Sequence, residues 1–149
     1  MAKSSGKKNE VKTFTMEFVS NPKEIVHVEQ FLDKVNTTAK LDDGTFYRLL
    51  VASTEAVNNA IMHGNKSDPR KKVFVTITFK KHDNLTVIVQ DQGGGFDPSS
   101  IPNPIDDKNL FKTSGRGVFL MKELMDEVNY SFTHGGSTVE LVINLKRLR

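Results

Sequence analysis

Between residues 13 and 18 the chain alternates, with Phe14, Met16 and Phe18 apolar and Thr13, Thr15 and Glu17 polar. A period of two marks a strand with one buried face. The period then lengthens. Asn21-Pro22 has the chemistry of a helix start, with proline in the first turn. Ile25, Val28, Phe31, Leu32 and Val35 fall at helical spacing and predict a helix as far as about Thr38. Leu41-Asp42-Asp43-Gly44 reads as a break. Phe46, Leu49, Leu50, Ser53, Ala56, Val57, Ala60 and Ile61 then predict a longer helix from about Gly44 to His63, with Gly64-Asn65 as its C-cap.

Alternation returns in Val73, Val75, Ile77 and Phe79, and Leu85 to Val89 forms the other arm of a hairpin. Residues 97–114 carry prolines at 98, 102 and 104 and read as an irregular segment, the length of a functional lid. Gly115-Arg116-Gly117 opens a third helix with Leu120, Met121, Leu124, Met125 and Val128 inward. Tyr130 to Thr133 and Thr138 to Leu145 close the pattern as a hairpin across His134-Gly135-Gly136-Ser137. The predicted order is β-α-α-β-β-lid-α-β-β. Clustered rather than alternating elements argue for an α+β, two-layer α/β sandwich, with helices on one face of a mostly antiparallel mixed sheet.

Length and composition narrow the function. The chain has 149 residues, which fits one domain after a polar, charged tail at 1–10. It has no cysteine, which excludes a disulfide framework, a Cys-based zinc site and a Cys nucleophile. The first ten residues lack the apolar core of a secretory signal. No apolar run approaches the roughly 20 residues that span a bilayer, so a cytoplasmic location is expected. The net charge of +3 gathers at the ends, in Lys3, Lys7, Lys8, Lys146, Arg147 and Arg149. That distribution favours solvated tails over a nucleic-acid face. The chain contains no G-x-x-x-x-G-K-[ST] phosphate loop, H-E-x-x-H pair or G-x-S-x-G elbow.

The informative residues are elsewhere. Glu55 and Asn59 are four apart on the long helix, so they project from one face. A carboxylate there can take a proton from a nucleophile. An amide oxygen is a hard ligand of the kind Mg²⁺ accepts. An exposed polar helix face would show the same spacing. After the strand at 85–89 the chain reads Asp91-Gln-Gly93-Gly-Gly95-Phe-Asp97. The Asp91 carboxylate could accept from an exocyclic amine, and Gly93 and Gly95 would let a flat ring or phosphates approach the backbone. A glycine turn capped by Asp is the plain alternative. Gly115 and Gly117 start a helix whose free N–H groups suit an anion, beside Arg116, Lys112 and Lys108. Met62 and His63 read as packing and capping residues.

The ordered set Glu55-x-x-x-Asn59, Asp91-x-Gly93-x-Gly95, Gly115-Arg116-Gly117 and Gly136-Ser137-Thr138 resembles the boxes of the Bergerat-fold ATPases, from about Thr13 to Leu145. Within that group the chain is most similar to the bacterial anti-sigma factor serine kinases of the RsbW and SpoIIAB type. Glu-Ala-Val-Asn-Asn-Ala-Ile-Met-His-Gly, Gly-Phe-Asp-Pro and Gly-Arg-Gly-Val-Phe-Leu-Met-Lys-Glu-Leu-Met-Asp carry that similarity.

The resemblance implies a Bergerat-type sandwich over residues 11–149, with an ATP lid at about 97–114. It implies ATP and Mg²⁺ as cofactors. Asp91 would bind the adenine amine, Asn59 would ligate Mg²⁺, and Glu55 would be the base. Gly93, Gly95, Gly115, Arg116 and Gly117 would line the nucleotide, with Thr138 assisting at the adenine end and its neighbour Ser137 the alternative for that place. The activity implied is phosphorylation of an anti-anti-sigma (STAS-type) protein on serine or threonine, together with sequestration of a sigma factor by a homodimer. No direct contact with nucleic acid or membrane is implied. A nucleotide-binding module that sequesters a partner without phosphoryl transfer, and an ATPase acting on water, are the other uses of the same residues.

Overall fold

In a computed structural model the structure describes residues 10–93, 113–133 and 135–146, with backbone alone for 113–118. Strand β1 spans Val11–Val19, helix α1 Ile25–Ala39 and helix α2 Asp43–Asn59. Strands β2 (Lys72–Lys80) and β3 (Asn84–Gln90) follow. Helix α3 covers Thr113–Leu124, and β4 (Glu127–Thr133) and β5 (Gly136–Asn144) complete the described chain. The five strands lie in the order β1-β2-β3-β5-β4. Every pairing among them is antiparallel, in keeping with the mostly antiparallel sheet expected.

Alternation decides the two faces. Val73, Val75, Ile77 and Phe79 of β2, Leu85, Val87 and Val89 of β3, and Val139, Leu141 and Ile143 of β5 are all buried. They meet Val28, Leu32 and Val35 of α1 and Leu49, Ala52, Ala56 and Val57 of α2 in one core cluster. Each fully buried side chain of this size contributes roughly 1.5–3 kcal/mol relative to exposure. The other residues of each strand face away from the helices. One row of that open face runs Thr15, Thr76, Ile88, Glu140 and Asn129 across all five strands.

Helix ends follow local chemistry. Asn21 accepts from Lys23 N and opens a single 3-10 turn at Pro22–Glu24 ahead of α1. Lys40 closes α1 in the left-handed region, at φ 51°. Asp42 is the N-cap of α2, taking the Thr45 amide at 2.7 Å, so Asp43 and Gly44 are helical rather than part of a break.

Three further expectations are corrected. Helix α3 begins at Thr113, so Thr113 and Ser114 belong to it and not to an irregular lid. Leu120 is exposed rather than inward. Val128 lies in β4, because the chain leaves its helix before that point. Asp126 N donates to Val142 O, and its carboxylate takes Asn144 N, which commits the next residues to the sheet. The remainder of the predicted lid, and residues 1–9 of the predicted tail, lie outside the described residues.

Candidate functional site

The site is built where β3, β5 and the end of α2 converge. Asp91 follows β3 directly, and its amide donates to Ser137 O at 2.9 Å, which extends the β3/β5 ladder by one bond. Its carboxylate is held by three donors. Gly93 N and Ser137 N reach Oδ1, each at 3.0 Å, and Ser137 Oγ reaches Oδ2 at 2.6 Å. Asp91 is only 9% exposed. A carboxylate has about four lone-pair positions, so this one is fixed in orientation with acceptor capacity left over, mainly on Oδ2.

Glycines surround that carboxylate. A Cβ on Gly64 would collide with Oδ2 and the carboxyl carbon of Asp91. A Cβ on Gly93 would strike the Gly64 carbonyl, and one on Gly136 would strike the Asp91 carbonyl. Gly136 also has φ +143°, a conformation that side chains disfavour. Gly64 has no such φ. It is glycine for space, not for the left-handed cap expected of it.

The end of α2 explains how Gly64 arrives there. After Asn59 the helix widens into one π turn, Ala60–Gly64, closed by Asn65 N donating to Ala60 O. Such turns insert one extra residue and recur at functional sites. The left-handed residues come afterwards, at Lys66 (φ 54°) and Ser67 (φ 56°). Asn65 is 1% exposed, and its side chain accepts from Gln92 N.

Glu55 and Asn59 lie one turn apart on the last stretch of α2, both half-buried. Neither side chain makes a hydrogen bond to another described residue, so both side chains keep their bonding capacity. Tyr130 of β4 is near Glu55. Its hydroxyl is buried with no partner among the described residues. Burial, and secondarily the Glu55 charge, push its pKa up to about 12.

Of the other expected site residues, Gly93 is placed beside Asp91 and Gly95 lies outside the described residues. Gly115, Arg116 and Gly117 fall within the first five residues of α3. The first four N–H groups of a helix have no intrahelical acceptor, and those of Gly115 and Arg116 are among them. Thr138 is a correction. It pairs with Gln90 and alternates with the buried Val139, so it faces the open side of the sheet. Ser137, one residue earlier, turns to Asp91. Sequence reasoning left Ser137 and Thr138 as alternatives, and it had not singled out Gly64 and Asn65 as site residues.

Residues 18–143 match the histidine kinase-like ATPase domain, and the chain belongs to that family. It is 34% identical over 125 residues to an anti-sigma F factor of Anoxybacillus flavithermus, covering 82% of each chain. It is 34% identical over 110 residues to the serine-protein kinase RsbW of Bacillus licheniformis, covering 68% of this chain and 66% of that one. Among solved structures, the RsbU and RsbW domains of a Mycobacterium tuberculosis protein align with a TM-score of 0.68 at 18% identity. That alignment covers 90% of this chain and 32% of the other, and it supports the fold.

Proposed function

We propose that this chain is a Mg·ATP-dependent protein serine/threonine kinase acting as an anti-sigma factor. Its substrate would be a serine or threonine of a small anti-anti-sigma (STAS-type) protein, and a sigma factor would be the partner it sequesters. The observation that carries this reading is the open bonding capacity of Glu55 and Asn59 on one face of α2, at the same end of the helix as a fixed and partly unsatisfied Asp91.

The residues fit ATP and Mg²⁺. Asp91 offers a carboxylate acceptor hemmed in by glycines, suited to the 6-amino group of adenine. Asn59 offers a neutral oxygen to the cation. Bound Mg·ATP would supply the transferable phosphoryl group and neutralise its charge, and such reactions rest mostly on positioning. Glu55 would take the proton of the substrate hydroxyl, and its carboxylate needs no other bond broken first. The early N–H groups of α3 would face the phosphates. Relatives named as anti-sigma factor and serine kinase support the reading.

Among the described residues no helix is long and apolar enough to cross a membrane. A cytoplasmic homodimer is part of the proposal and rests on the family resemblance.

Glu55→Ala is the test. Transfer of labelled phosphate to the partner should stop while nucleotide affinity stays within about threefold. Unchanged transfer would remove Glu55 from the reaction. Normal ATP binding with no transfer in the wild type would instead leave a module that sequesters its partner.

A further inference from the structure

The buried Asn65 makes three side-chain hydrogen bonds beside the site, as many as Asp91, and the proposed chemistry does not use it. Its Nδ2 donates to Ser20 Oγ at 2.7 Å and to Lys72 O at 2.9 Å. Its Oδ1 accepts from Gln92 N at 2.7 Å. Both amide protons and the oxygen are therefore engaged. The main chain of Asn65 is engaged as well, donating to Ala60 O and accepting from Asp68 N.

Four chain segments meet on this residue: the end of β1 through Ser20, the start of β2 through Lys72, the exit of β3 through Gln92, and the π turn that ends α2. Ser20 is itself fixed, since its hydroxyl donates to Lys71 O at 2.7 Å. Gln92 is held a second time, because its Oε1 accepts from Lys72 N. The anchor thus rests on the sheet rather than on a loop.

We propose that Asn65 is the positioning residue for adenine recognition, fixing the Asp91–Gly93 segment against the sheet so that Asp91 presents its free acceptor position. The inference rests on reading Asp91 as the adenine acceptor. Gln92 adjoins Asp91, so locking the Gln92 amide limits rotation of the peptide bearing the carboxylate. Gly93 N, which binds Oδ1 of Asp91, is on the other side of the same locked residue. The π turn also sets Gly64 against the carboxylate, and Asn65 closes that turn. The Asn65 side chain therefore holds the Gln92 wall, while its main-chain amide closes the turn that supplies the Gly64 wall.

Base selectivity is the readout that a purely structural role would leave alone. ITP differs from ATP in carrying a carbonyl where adenine has its amine. A site built to accept from that amine should reject the analogue. The experiment measures displacement of a fluorescent nucleotide by ATP and by ITP, in Mg²⁺, at a temperature where each variant is folded by circular dichroism. The variants are Asn65→Ala, Asn65→Ser, Asn65→Asp, Asp91→Asn and the core control Leu49→Ala.

Asn65→Ala should lower the ATP-over-ITP preference by about tenfold, the worth of one hydrogen bond to an ionised group. Asn65→Asp keeps an oxygen for Gln92 N but loses both donors, so it should lose less. Leu49→Ala should lower the melting temperature and leave the preference intact. A wild-type preference in folded Asn65→Ala overturns the inference, as does an equal loss in Leu49→Ala. If Asn65→Ala does not fold, Asn65→Ser decides instead, since its shorter side chain also leaves the Gln92 amide without this acceptor, and an unchanged preference there overturns the inference. An unchanged preference in Asp91→Asn overturns the reading of Asp91 instead, whatever Asn65 does.

Discussion

Gly64 carries no side chain because the Asp91 carboxylate stands where its Cβ would be. The neighbour it would displace is held by three hydrogen bonds, so the strain of Gly64→Ala cannot relax into a flexible tip. The variant should fold and weaken ATP binding by at least about tenfold, since one hydrogen bond to an ionised group is worth about that much. Isothermal titration would show it, and wild-type affinity would mean the turn can shift freely. Tyr130 gives the opposite case, a buried hydroxyl with nothing among the described residues to bond. Tyr130→Phe should raise stability by about 1 kcal/mol or leave it unchanged, because it removes a desolvated group without opening a cavity. The pH sign follows from a folded pKa near 12 against an ordinary 10.0. Stability is fully present below pH 10 and is lost as pH rises toward 12, because the unfolded chain ionises first. Urea titrations across that window should show a smaller loss in Tyr130→Phe than in the wild type.

This scale was also the least legible in the sequence. The Glu55/Asn59 spacing and Asp91 stood out because helix and strand periods expose them. Asn65 did not, since its side-chain partners lie 45, 7 and 27 residues away and leave no local pattern. Ser137 and Thr138 were inseparable without the register, because a shift of one residue reverses which face each occupies.

Elements were read more reliably than their ends. The stripes of α1 and α2 and the alternation of β1, β2 and β3 follow from burial on one face, which hydropathy records directly. The boundary of α3 with β4 was misread because Val128 satisfies both periods, being four beyond Leu124 and two before Tyr130. Backbone and carboxylate bonds from Asp126 into β5 settle it, and those are tertiary. At the other end of the layer, Arg48 of α2 donates from Nε to Leu124 O, tying α2 to the last carbonyl of α3 at 2.8 Å. The start of α2 depends on Asp42, whose carboxyl is held below its ordinary 3.8 by the Thr45 side chain first and the Thr45 amide next. A depressed carboxylate contributes above its unfolded value and loses that contribution as pH falls. Asp42→Ala should therefore lower the melting temperature at pH 7 and differ less from the wild type at pH 3. A gap that widens on acidification would contradict the cap.

For the whole molecule, a ligand bound only by the native state adds to its stability by mass action. At about 100 times the dissociation constant the gain is roughly 2.7 kcal/mol. Thermal unfolding in saturating Mg·ATP should show an upward shift that Asp91→Asn abolishes. No shift in the wild type would mean that the glycines serve the turns alone. The sheet order has a consequence for synthesis. A ribosome that has made β1 through β3 has already produced Glu55, Asn59 and Asp91, but two of the three donors to that carboxylate come from Ser137, in β5. Until β5 slots between β3 and β4, Asp91, the proposed adenine acceptor, is not fixed. On the proposed reading, the nascent chain should thus be blind to cellular ATP until that late strand is in place, and a proteolytic fragment ending before Ser137 would retain the proposed base and metal ligand yet not compete for nucleotide.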